Sequence, residues 1–233
     1  SLSISEGEFV SIIGPNGSGK TTLLKAILGL IRQVSGEIKV FGQKITHGYK
    51  IHRKRIGYLP QMSQVDINFP IKVMDVVMLG RCSRIGFFRR PTKQDKEIVF
   101  NSLEKVGMED SIKVPFGHLS AGQQQRVMIA RVLAQEPDIL ILDEPTAGID
   151  LPTQYNIVEL IDQLHNNGMT IIYVCHEINI FTRNLKKIIC LKGYLYKMGS
   201  PEEVLNHEVL TGLYDTPVNV VSSKDYHLFT IGG

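Results

Sequence analysis

The sequence predicts an α/β fold with a mainly parallel central sheet, and three observations predict it. Residues 139–142 and 170–174 are short, almost wholly apolar runs, too short for helices and without the alternation of a half-exposed strand. Such runs suit parallel strands buried on both faces. Between them, Ile157, Leu160, Ile161 and Leu164 repeat at i, i+3, i+4 and i+7, an amphipathic helix that stops near Gly168. At the start of the chain a β-rich run, 8–13, enters Gly14-Pro15, and 21–31 then carries apolar residues at helical spacing. Strand–helix alternation at both ends, with a helical stretch between, is the pattern of a parallel sheet covered by helices.

The remaining elements follow in order. Residues 34–41 read as a hairpin strand with its turn at Ser35-Gly36 and its stop at Gly42. From about 73 to 134 the pattern is mostly helical, interrupted at 81–91 and 114–119. Residues 188–191 and 195–197 read as a closing hairpin about Gly193. Ser200-Pro201-Glu202-Glu203 is a helix start, with Ser at the N-cap, Pro at N1 and Glu at N3. Residues 218–233 carry no readable motif and read as a regulatory tail or a packing strand.

Composition bounds the function. The chain has 233 residues, 43% hydrophobic and 21% charged, an ordinary globular balance. Lys+Arg 26 against Asp+Glu 23 leaves +3, too little excess for a protein held to nucleic acid by phosphate neutralisation. Cys82, Cys175 and Cys190 form no C-x-x-C pair, as expected of reduced thiols in the cytosol. No run of 18 apolar residues is present, and no signal peptide is visible. The first residue is Ser1 rather than Met, so the start reads as trimmed.

Chemistry enters at Gly14-Pro15-Asn16-Gly17-Ser18-Gly19-Lys20-Thr21, a full match to G-x-x-x-x-G-K-S/T between a predicted strand and a predicted helix. Glycines let backbone N–H groups turn inward around phosphate oxygens, and the helix that follows presents an anion-binding N-terminus. Lys20 reaches toward β- and γ-phosphates, and Thr21 offers a hydroxyl to Mg²⁺. The dinucleotide fingerprint G-x-G-x-x-G does not fit. The second half of such a site is an acidic strand end, and Asp143-Glu144 after 139–142 supplies it. Asp143 suits Mg²⁺; Glu144 stands where a water attacking the γ-phosphate can be deprotonated.

A third motif, Leu119-Ser120-Ala121-Gly122-Gln123-Gln124-Gln125-Arg126, resembles the signature sequence of ATP-binding-cassette (ABC) ATPases. Six motifs of that family occur here in its order: the phosphate loop, Gly57-Tyr58-Leu59-Pro60-Gln61 as the Q-loop, the signature, the acidic strand, Ala147-Gly148-Ile149-Asp150 as the D-loop and Val174-Cys175-His176-Glu177 as the H-loop. The resemblance covers nearly the whole chain. It implies the ABC ATPase fold: a nucleotide-binding core (1–72 and 137–233) with an antiparallel β subdomain, and an inserted helical subdomain (about 73–136).

It also implies an ATP- and Mg²⁺-dependent hydrolase with Glu144, His176 and Lys20 as the catalytic set. The loop 14–21, Thr22, Gln61, Ser120, Gly122, Gln123, Asp143 and Asp150 would touch nucleotide, and Thr21, Gln61 and Asp143 would hold Mg²⁺. In this family two cassettes meet head to tail, each ATP lying between one phosphate loop and the opposite signature. Read alone, His176 is more often a structural residue at a strand end. Departures are Ala121 where Gly is commoner, Glu177 where Asp is usual, and no adenine-stacking aromatic before Phe9. The 2–8 stretch resembles the family's second strand and turn, which favours a trimmed start over stacking from elsewhere.

Within the family, the expected role is the energising subunit of an importer, working through a separate multi-span permease and, indirectly, a substrate-binding protein. Its place would be the cytoplasmic face of the membrane. The stretches 68–81, 86–90 and 146–150 resemble manganese/zinc/iron importer cassettes. The alternatives are iron–siderophore or cobalamin uptake and a soluble cassette ATPase. Residues 81–91 join basic residues, read as exposed, to Phe87-Phe88; they face a permease or an anionic membrane, or the Phe pair packs inward.

Overall fold

In the computed structural model, residues 1–45, 54–61, 70–86, 89–175, 184–222 and 227–231 are described. The predicted first strand is β1 (Phe9–Ile13), and the loop after it leads into α1 (Lys20–Ile27). A short hairpin, β2 (Lys39–Val40) and β3 (Gln43–Lys44), is followed by β4 (Ile56–Leu59). The middle of the chain supplies α2 (Val73–Met78), α3 (Cys82–Ile85), α4 (Lys93–Glu104) and α5 (Ala121–Leu133). Then come β5 (Ile139–Asp143), α6 (Leu151–Asn166), β6 (Thr170–Val174), β7 (Lys187–Leu191) and β8 (Leu195–Gly199). The chain closes with α7 (Pro201–Val204), α8 (His207–Tyr214) and a hairpin of β9 (Val218–Ser222) with β10 (His227–Ile231).

Six strands form one sheet in the order β4-β5-β6-β1-β7-β8. All neighbours are parallel except β7 and β8, the predicted closing hairpin. The unbroken apolar runs have a simple cause: the strands are buried on both faces, so alternate residues enter different cores. Val10, Ile12, Ile141, Ile172 and Val174 pack with Leu24 and Leu28 of the α1 side. Phe9, Ile13, Leu140, Leu142, Ile171 and Tyr173 pack on the other face with Ile129, Ile157 and Ile161 of α5 and α6. Parallel strands put their C-terminal ends on one edge, and the phosphate loop and the Asp143-Glu144 pair leave from that edge.

Several expectations need correction. The early hairpin turns at Phe41-Gly42, both at positive φ (52° and 74°), rather than at Ser35-Gly36. A two-residue turn of this kind matches the twist of the flanking strands. Residues 1–8 form a turn and no strand: the Glu8 N–H donates to the Ser5 carbonyl (3.2 Å), and the Gly7 N–H to Thr170 Oγ1 (2.8 Å). The 81–91 stretch begins as helix, not loop, and Arg81 is 7% exposed rather than on the surface. Its guanidinium donates to Asp95 Oδ1 (3.1 Å), the Ala134 carbonyl (2.9 Å) and Glu136 Oε2 (2.6 Å). Arg84, Arg89 and Arg90 remain exposed; Phe87 and Phe88 lie outside the described residues. The unread C-terminal stretch contains the β9–β10 hairpin.

Candidate functional site

Gly14 ends β1 with φ 152°, and a Cβ there would run into the Leu191 carbonyl oxygen. Glycine is therefore required where the loop turns against β7. Gly17 and Gly19 also have positive φ, and Gly19 caps α1 in a left-handed conformation with no side-chain bond. The loop's other side is fastened by the Gly193 N–H, which donates to the Ser18 carbonyl (3.0 Å). Asn16, Gly17, Thr21 and Thr22 are exposed, while Gly14, Ser18 and Lys20 are buried. Ser18 Oγ has no hydrogen-bond partner among the described residues. A buried orphan hydroxyl inside a glycine-rich concavity fits a loop built to take phosphate oxygens.

Lys20 Nζ lies inside that loop, donating to the carbonyls of Gly14 (2.8 Å) and Pro15 (3.0 Å). Burial holds the ammonium below lysine's ordinary value, against the opposing pull of Glu144, Cys175 and Asp143. Asp143 ends β5 and is buried; its Oδ2 accepts from Thr21 Oγ1 (3.4 Å) and from Tyr58 Oη (3.2 Å). Hydroxyl and carboxylate oxygens beside a phosphate loop are hard donors, and this set fits Mg²⁺ held partly by nucleotide phosphates. Glu144 follows in a left-handed conformation (φ 53°), with its N–H on the Val174 carbonyl (2.9 Å). Gln61 Nε2 donates to Glu144 Oε2 (2.6 Å).

Two neighbouring strand ends thus hold two neighbouring acids, Tyr58 on Asp143 and Gln61 on Glu144. Tyr58 was not read from sequence as a site residue. Its signal was a single phenol in an otherwise apolar strand that pairs beside the acidic one, opposite Ile141. Burial and Asp143 push this phenol up to about 12, so it stays a hydrogen-bond donor at neutral pH. His176 and Glu177 lie outside the described residues. Their neighbour Cys175 is buried at the end of β6, its Sγ 3.6 Å from Ser11 Oγ.

The signature residues belong to a second cluster. Ser120 caps α5 in a reciprocal box: its Oγ accepts from the Gln123 N–H (3.3 Å), and its own N–H donates to Gln123 Oε1 (3.0 Å). The Gln123 amide oxygen therefore serves the cap in this state. Asp150 caps α6, its Oδ2 accepting from the N–H (3.3 Å) and Oγ1 (3.0 Å) of Thr153. Gly122 lies against Thr153, so the two caps are side by side. Ser120, Gln123 and Asp150 are exposed, as are Leu151 and Tyr155 beside them.

A cavity of about 930 Å³ lies elsewhere, lined by Ile4, Leu23, Ile38, Ile56, Ile139 and Thr170. The last three open their strands, so this cavity sits at the N-terminal edge, away from the phosphate loop. Ligands of open α/β sheets bind at the opposite edge. Among the described residues, no group of three or more His, Cys, Asp or Glu is placed to hold a metal, and no helix is long and apolar enough to cross a membrane.

Sheet order and loop define a nucleotide-binding protein of the P-loop NTPase fold. A family model described as "ABC transporter" matches residues 1–147. The manganese transport system ATP-binding protein MntB of Bacillus subtilis (strain 168) is 42% identical over 224 residues, 96% of this chain and 88% of that protein. The zinc transport system ATP-binding protein TroB of Treponema pallidum (strain Nichols) is 38% identical over 211 residues, 91% and 78% of the two chains. The solved dimeric structure of MJ0796, a bacterial ABC transporter cassette, superposes with a TM-score of 0.70 at 32% identity, covering 85% of this chain and 88% of that one. The chain belongs to the ABC transporter family, as one of its ATP-binding cassettes.

Proposed function

We propose that this cassette binds and hydrolyses ATP to drive import of a transition-metal ion, manganese or zinc or iron, through a separate membrane permease. The observation that carries the hydrolytic part is the paired arrangement of acids. Asp143 is fixed beside Thr21 and the phosphate loop, and Glu144 is fixed beside Gln61. Loop amides, Lys20 and Thr21 bind the triphosphate, with Asn16, Ser18 and Thr22 around it. Thr21, Asp143 and Gln61 would hold Mg²⁺, which would supply positive charge against the phosphates. Glu144 accepts the proton of the attacking water, and His176 supports the γ-phosphate end.

Two copies close head to tail, and Ser120, Gly122, Gln123 and Asp150 of each complete the other's nucleotide site. The dimeric structural relative supports that arrangement. The lobe 73–136 carries the surface that meets the permease, with Arg84, Arg89 and Arg90 exposed on it. Relatives named for manganese and zinc transport support a metal cargo; its delivery by a substrate-binding protein is part of the same proposal. The cassette's place is then peripheral, on the cytoplasmic face of the membrane. The test is two-part: purification of the tagged cassette from detergent-solubilised membranes, and manganese, zinc and iron content of cells lacking it. A co-purifying multi-span permease and a selective metal deficit are expected. Co-purification with ribosomes or DNA instead, with unchanged metal content, overturns the proposal.

A further inference from the structure

Gly122 needs an explanation that backbone geometry does not give. It sits in the first turn of α5 and is absent from the residues with positive φ, so an L side chain could adopt its conformation. Glycine inside a helix is less favourable than alanine. Its neighbour Ala121 carries a methyl and is exposed. Space is what excludes a side chain at 122. A Cβ there would collide with the Cγ2 methyl of Thr153, on a different helix.

Thr153 is itself held on both sides. Its Oγ1 donates to Asp150 Oδ2 (3.0 Å), and its N–H donates to the same oxygen (3.3 Å). Those two bonds fix the side chain and aim its methyl at Gly122. Behind it, Gln154 Nε2 donates to the Ile149 carbonyl (2.7 Å), tying down the turn that carries Asp150. The close approach therefore joins the N-terminus of α5, with Ser120, to the N-terminus of α6, with Asp150.

We propose that Thr153 is a positioning residue that locks the signature turn to the turn before α6, and that Gly122 is glycine to admit the Thr153 methyl. The two turns then reach the partner's nucleotide as one rigid unit. This rests on the reading that both turns complete the partner's ATP site in a dimer.

Four purified variants test it: Gly122→Ala, Thr153→Ser, Gly122→Ala/Thr153→Ser and Gly122→Ala/Thr153→Val. Serine removes the obstructing methyl and keeps the hydroxyl; valine keeps a methyl and removes the hydroxyl. Overpacking at 122 should lower both the unfolding midpoint and ATP turnover, the latter about tenfold or more. Adding Thr153→Ser should restore the midpoint and raise turnover and ATP-induced dimerisation, measured by light scattering, severalfold above Gly122→Ala alone. Adding Thr153→Val should do neither. Two double variants with midpoint and turnover as low as Gly122→Ala alone would overturn the proposal, since the Thr153 methyl would then not be what excludes a side chain at 122. The midpoints test the packing without nucleotide. Absence of turnover in wild type would instead sink the hydrolytic reading and leave the packing cycle decided by the midpoints.

Discussion

Tyr58 and Gln61 grip Asp143 and Glu144 at 3.2 Å and 2.6 Å, so the Q-loop stretch touches both acids at the end of the neighbouring strand β5. The phenol occupies one lone pair of Asp143 Oδ2 and orients the carboxylate toward Thr21. Tyr58→Phe deletes that oxygen and keeps the ring, so the fold should be little affected. Losing a hydrogen bond worth about 1 kcal/mol should raise the Mg²⁺ concentration for half-maximal nucleotide binding roughly three- to tenfold. A Mg²⁺ titration of fluorescent-nucleotide binding reads this directly; an unchanged midpoint would free Asp143 from Tyr58. The phosphate loop and the acids were legible in sequence because their spacing is local. Tyr58 was not, because its partner is one strand away in the sheet and 85 residues away in the chain.

At the scale of elements, a buried cation stitches the central helices together. Arg81 joins the N-cap box of α4, through Asp95, to the end of α5, through the Ala134 carbonyl and Glu136. Thr92 Oγ1 and N–H both donate to Asp95 Oδ2, at 2.7 and 2.9 Å. The basic run 81–91 therefore splits: Arg81 is buried, Arg84 is exposed but donates to the Gln135 and Glu136 carbonyls (both 3.2 Å), and Arg89 and Arg90 are exposed. Sequence could not separate them, because the carboxylates that capture Arg81 come from later helices. Asp95→Ala leaves Arg81 largely buried beside a single exposed partner. It should cost about 3 kcal/mol or more in urea unfolding.

Asp95 also gives this region a pH dependence. The bonds from Thr92, and then Arg81, hold its carboxyl below the ordinary aspartate value. A lowered folded-state value means the unfolded chain takes up the proton first. The stabilisation is therefore full above the ordinary carboxylate range and is lost as pH falls through the folded-state value. Asp95→Asn should accordingly flatten the acid limb of the stability profile. A variant as acid-sensitive as wild type would place that dependence elsewhere.

For the whole molecule, β1, β5, β6 and β7 were legible from apolar runs, since a strand buried on both faces has no alternation to hide; β4, four residues with Gly57 inside, was not read as a strand. The early hairpin was misplaced because Phe41, a bulky residue at φ 52°, does not advertise a turn. The 2–8 stretch has strand-like residues but joins no sheet among the described residues. The site itself is divided: the loop and acids gather at one sheet edge, while exposed Ser120 and Asp150, with buried Gly122 between them, form a separate cluster at the starts of α5 and α6. One copy of the chain carries both halves and closes neither. Under the proposed function, hydrolysis requires two copies, with Glu144 proposed as the base in each.

The most direct measurement sets wild type beside Glu144→Gln, recording ATP turnover and association state in the same samples. Glutamine keeps the shape and the contact with Gln61 but cannot accept the proton. Turnover should fall on the order of 10²–10⁴-fold, and an ATP-bound dimer should persist that in wild type decays with hydrolysis. Wild-type turnover in Glu144→Gln, from a protein that stays monomeric with ATP, would contradict both the base and the two-copy site.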